Sequence, residues 1–79
     1  MVEFINMNHA REEGDKMSII EAMKLAIEEE ARAARRYREL AEMAEDNETR
    51  LLFEQLALEE DAHYKKLSER LKALKLMGD

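Results

Sequence analysis

Cysteine, proline and tryptophan are absent from this 79-residue chain, and glycine occurs twice. Without cysteine the chain can build neither a disulfide nor a thiolate-bound iron or zinc site, and it has no cysteine nucleophile. Without proline, and with almost no glycine, little breaks the chain into short strands and tight turns. Long apolar runs are missing as well. None approaches the roughly 20 residues that a membrane span needs, and the N-terminus lacks the basic-then-apolar pattern of a secretory signal. Positive charge is in deficit: 13 Lys and Arg against 19 Asp and Glu leave a formal charge of −6. That balance argues against a duplex nucleic-acid binder, which needs cationic surface to displace counterions. These exclusions leave a cytoplasmic protein with no membrane or nucleic-acid partner as the expectation.

What the chain does contain is helix-forming and charged. Asp, Glu, Lys and Arg make up 41% of it, which predicts an all-α fold. A domain this small buries little apolar surface, so a bound metal or self-association must supply part of its stability. Ser18 followed by Glu21 is a capping-box pattern, and it starts the first long helix near Ile19. Ile19, Met23, Ala26, Glu30, Ala33, Tyr37, Leu40 and Ala44 then advance by alternating steps of four and three, with Ile20, Ile27, Ala34 and Ala41 widening the stripe. The stretch "EDNET", residues 45 to 49, is the mid-chain turn, with Asp46 or Asn47 as a cap. A second helix carries the same steps through Thr49, Phe53, Leu56, Glu60, His63, Leu67, Leu71 and Leu74 and stops near Gly78.

Residues 18–79 therefore predict an antiparallel two-helix hairpin. Residues 1–17, without sustained period, predict a tail or a short packing helix. Two rods paired only with each other leave one side of their stripe uncovered, so the hairpin is expected to dimerise into a four-helix bundle.

The stripe contains three intruders. A chain folded back about residues 46 and 47 sets Glu30 level with His63 and within a turn of Glu60, while Ala26, Ala31, Ala33 and Ala34 narrow the surrounding stripe. Burying several carboxylates in one layer is costly unless a cation offsets their repulsion and desolvation. Glu60 and His63 share one helical face at a spacing of three, and Glu30 supplies a third donor from the other helix. That is half a site. Two copies related by a two-fold axis would assemble four Glu and two His, the donor set of di-iron and di-manganese bundles, and this oxygen-rich set suits iron or manganese, with zinc a further candidate.

Other features have plainer readings. Tyr37 is either a core aromatic or a hydrogen-bond donor to a ligand carboxylate of the other subunit. Tyr64 is expected to pack. Glu28 with Arg32 and Glu59 with His63 have the spacing of solvated pairs, and the arginines of "RAARRYR", residues 32 to 38, alternate with outward Glu in a salt-bridged surface. His9, Glu12 and Glu13 carry no site beyond their composition.

The segments "AIEEEARAARRYRELAEMAED" and "RLLFEQLALEEDAHYKKL" resemble the rubrerythrin-like branch of the ferritin-like superfamily over roughly residues 18 to 74. The resemblance implies that Glu30, Glu60 and His63 correspond to iron ligands and Tyr37 to a tyrosine near the metal pair. Full-length members carry four bundle helices in one chain, so a single hairpin looks like a half-unit, as in encapsulated ferritins. Those are short hairpin proteins that form the di-iron site across a subunit interface and oxidise Fe(II) for storage inside a protein shell. Rubrerythrins proper have a cysteine-bound iron domain as electron donor. This cysteine-free chain has none, so a peroxide-reductase cycle would need a separate reductant. Encapsulated ferritins also continue into a further helix and a targeting tail, whereas this chain ends at "KLMGD", and an encapsulating shell is left without support. The expectation is a homodimer or higher homo-oligomer that binds Fe(II) and oxidises it with O2 or peroxide. The alternative is a non-enzymatic helical dimerisation module whose Glu and His set register or hold a redox-inert ion.

Overall fold

The computed structural model describes residues 18–78, and within them the chain is two packed helices with no strand. Helix α1 spans Ile19–Met43 and helix α2 spans Asn47–Leu76. The expectation for residues 1–17 lies outside the described residues.

Local chemistry sets each end. At the start of α1 the Ser18 Oγ accepts from the Glu21 N–H at 3.0 Å, and the Ser18 N–H donates back to Glu21 Oε1 at 3.4 Å, a reciprocal box that satisfies two otherwise orphaned donors. Helix α1 stops at Ala44, whose backbone turns extended while its N–H still donates to the Ala41 carbonyl. Two residues later Asp46 caps α2, its Oδ2 accepting from the Thr49 N–H at 2.9 Å. At the far end Gly78 takes a left-handed φ of 92°, a conformation that glycine adopts without steric cost.

The connection is shorter than the turn read from the sequence. Because α1 runs to Met43 and α2 begins at Asn47, the fold-back centres on Glu45 rather than between residues 46 and 47. The level pairs move by about one turn, so Glu30 faces Glu60 and Tyr37 faces Phe53. The Tyr37 and Phe53 rings stack with centroids 6.1 Å apart.

Three alanines form the buried contact: Ala34 and Ala41 on α1, and Ala57 on α2 at 1% exposure. Ala34 and Ala41 sit on the flank of the predicted stripe, and Ala57 lies beside it. Small side chains occupy the line of closest approach because they let the two backbones come near. The centre of the stripe, with Glu30, Ala33, Tyr37, Leu40, Phe53, Leu56 and Glu60, is only half-buried. Ile19 is exposed, as are Leu25, Leu51, Leu52 and Leu58, because a two-helix layer covers one side of each rod. Among the described residues no helix is long and apolar enough to cross a membrane.

The cap predicts a pH signature. Hydrogen bonds from the Thr49 backbone hold the Asp46 carboxyl below its usual 3.8, so its ionised form favours the folded state. That contribution is complete above the ordinary aspartate value and lost as pH falls through the lowered native one. Asp46→Asn keeps a capping oxygen but removes the charge. Its melting temperature is expected a few degrees below wild type at neutral pH, with the two converging in acid. Circular-dichroism melts across that range check it, and a gap that persists unchanged in acid would contradict the assignment.

Candidate metal centre

Glu30 on α1 and Glu60 and His63 on α2 offer one ligand atom each, all lying within 4.8 Å of one another. Helix α2 presents Glu60 and His63 together because residues three apart share a face, and the alanine contact brings α1 close enough for Glu30 to join them. The His63 Nδ1 stands 3.4 Å from Glu60 Oε1 and 3.6 Å from Glu30 Oε1. These separations are long for hydrogen bonds. They match the spacing of donors that share one small ion, since ligands about 2.1 Å from a common centre lie roughly 3 to 4 Å apart.

The charge balance within the cluster is unsettled. Glu30 Oε1 is buried and makes no hydrogen bond to the described residues, whereas a buried polar atom normally has a partner. The Glu30 carboxyl is held above its usual 4.5, first by the neighbouring Glu60 as a hydrogen-bond partner for its protonated form, then by burial, then by the negative charge of Glu60. His63 pulls in the opposite direction. An orphaned oxygen among two carboxylates and an imidazole is what a divalent cation would satisfy, so the residues fit a metal. His63 is 55% exposed, which leaves the cluster open on one side.

The structure thus brings together the three ligand candidates read from the sequence. The Tyr37 ring stacks on Phe53, as a core aromatic would. The surface pairs differ from expectation. His63 associates with Glu60 and Glu30 rather than Glu59, and Glu28 forms no pair with Arg32. Among the described residues Arg50 also pairs with Glu54 one turn on, at 4.0 Å. The pair that sequence spacing missed joins the two helices. Arg38 reaches both carboxylate oxygens of Asp61, with Nη2 donating to Oδ2 and Nη1 a long 3.5 Å from Oδ1. Neither residue is level with the other in the hairpin. Only the tilt of helical side chains toward their own N-termini, opposite in sense on antiparallel helices, would have pointed to it.

An antiparallel helical pair with a Glu, Glu, His cluster between its rods defines a ferritin-like class of helical protein. More particularly, the family model for rubrerythrin matches residues 7–77, and the chain belongs to the rubrerythrin family. That match begins ahead of α1 and so takes in part of the segment that the resemblance over 18–74 left out. Comparison with curated proteins and with solved structures gives no match.

The raised Glu30 value carries a sign. A carboxyl whose pKa is higher folded than unfolded contributes stability in full below its ordinary 4.5, and that contribution is lost as pH rises through the raised native value. In the presence of chelator, Glu30→Gln is therefore expected to melt a few degrees above wild type at neutral pH and to lose this advantage in acid. Thermal melts of both proteins check it. A variant less stable than wild type at neutral pH would show that the carboxylate is satisfied without a cation.

Proposed function

We propose that this chain is a di-iron protein that binds Fe(II) at an interface between two copies of itself and oxidises it with O2 or peroxide. The single observation that carries this reading is the unpartnered Glu30 Oε1, held within reach of Glu60 and His63. Membership of the rubrerythrin family supports iron as the metal. The donor chemistry agrees, because two carboxylates with one imidazole and no thiolate favour iron or manganese over copper or structural zinc.

The roles of the residues follow from their positions. Glu30 and Glu60 supply negative charge from opposite helices, so a cation between them draws α1 and α2 together where the two carboxylates alone repel. His63 supplies a neutral nitrogen through Nδ1, the atom turned toward both carboxylates. Tyr37, packed on Phe53, lies on the turn side of this layer. When bound, a pair of irons would each give up one electron to a shared oxidant.

Three donors are too few for iron, and the open side of the cluster offers room for more. The half-buried centre of the stripe lies beside it, with Leu40 and Leu56 short of full cover. A second copy turned about a two-fold axis would cover these residues and add its own Glu30, Glu60 and His63. A homodimer, or a larger assembly built from it, is the form in which the site would be complete.

Anaerobic Fe(II) titration of the purified chain is expected to give about one iron per chain and a doubling of mass. Admitting oxygen should then raise ferric absorbance. Glu60→Ala and His63→Ala should each lose iron stoichiometry and assembly together. If wild type binds no iron, or both variants bind as it does, the reading is wrong. Stoichiometric metal with no oxidation would instead identify the non-enzymatic module holding a redox-inert ion.

A further inference from the structure

The helices meet through Ala34, Ala41 and Ala57, and alanine surfaces interlock weakly. Large side chains set into grooves resist sliding and rotation of one rod against another, and short smooth ones resist much less. Beside the half-buried Leu40, Phe53 and Leu56, directional contacts between the rods then help to set their register. The described residues offer two outside the cluster. One is the stack of Tyr37 on Phe53, whose rings lie 23° from parallel. Near-parallel stacked rings tolerate lateral slip. The other is the Arg38–Asp61 pair, in which one guanidinium nitrogen donates to Oδ2 and the second lies a long 3.5 Å from Oδ1. A planar group held close at one nitrogen and loosely at the other constrains orientation as well as distance.

The position of that pair matters for the cluster. Asp61 follows Glu60 directly, so fixing the azimuth and depth of Asp61 fixes those of Glu60 on the same turn. Arg38 adjoins Tyr37 and, with Asp61, lines a shallow groove together with Ala31, Ala34, Arg35 and Tyr64. Arg38 leans toward the start of α1 and Asp61 toward the start of α2, so the pair closes diagonally and opposes displacement along the axis.

We propose that Arg38 and Asp61 are positioning residues, a clamp that keeps Glu60 and His63 opposite Glu30 before any metal binds. Its effect on metal affinity rests on the ligand reading above; its effect on register does not. Both side chains are about half exposed, so the pair adds little to global stability, and its contribution lies in alignment.

The test uses the full chain and two readouts. In the metal-free protein, NMR cross-peaks between the His63 ring and the Glu30 side chain report register directly. They are expected in wild type, and weakened at least by half in Arg38→Ala and Asp61→Asn with helicity by circular dichroism retained. The charge-exchanged double variant Arg38→Asp with Asp61→Arg should restore them, and Arg38→Lys, which keeps charge but not the fork, should restore them only in part. The second readout is Co(II) affinity, expected to fall about two- to fivefold in the single variants and to recover in the exchanged one. Cross-peaks and affinity unchanged in Asp61→Asn, or no recovery in the exchanged variant, would overturn the clamp. If wild type binds no metal while the cross-peaks respond as described, the ligand reading fails and the clamp stands.

Discussion

The close approach of α1 to α2 along Ala34, Ala41 and Ala57 is the constraint on which the rest of the hairpin depends. Bulkier residues on that line would hold the rods apart, and Glu30 could not come within reach of Glu60 and His63. The same economy of side chain has a consequence for stability. Three buried alanines release little apolar surface from water, so the hairpin has a thin core of its own. Much of its larger apolar surface, including Leu51, Leu52 and Leu58, remains exposed.

Within that arrangement the carboxylates are set against each other. Glu30 and Glu60 face each other with His63 beside them, and Glu60 together with burial holds the Glu30 carboxyl above its usual range. A structural polar layer would ordinarily pair its buried oxygens, and Glu30 Oε1 is left unpaired. The chain therefore carries a strain of charge that a cation would relieve, in a family whose model covers residues 7–77. The open side of the cluster and the half-buried stripe coincide on one region of the hairpin. Metal binding and association of two copies would thus be expected to strengthen each other.

Both helices were legible from local signals. Ser18 with Glu21 marks the start of α1, and Asp46 caps α2, because capping depends on residues three apart and on nothing distant. Glu30, Glu60 and His63 were legible for a different reason: polar residues stand out at positions that periodicity reserves for apolar ones. The register was legible only to within about a turn, since it hung on where the connector centres, and one residue more of α1 or α2 shifts every level pair. Tyr37 takes its core-aromatic role against Phe53, the neighbour that this shift sets level with it.

The order of residues by itself determined the two rods, the turn between them, and the placement of three metal-type donors on the helical stripes. Helical periodicity and capping are local, so they can be read along the chain. The tertiary structure alone decided that Ala57 rather than a leucine of the seam would be the most buried residue of α2, and that Arg38 would reach Asp61. It also decided that Glu30 would be left with an unpaired oxygen. Those outcomes depend on the azimuth and depth of one rod against the other. That is a property of the packed pair, which neither helix carries alone.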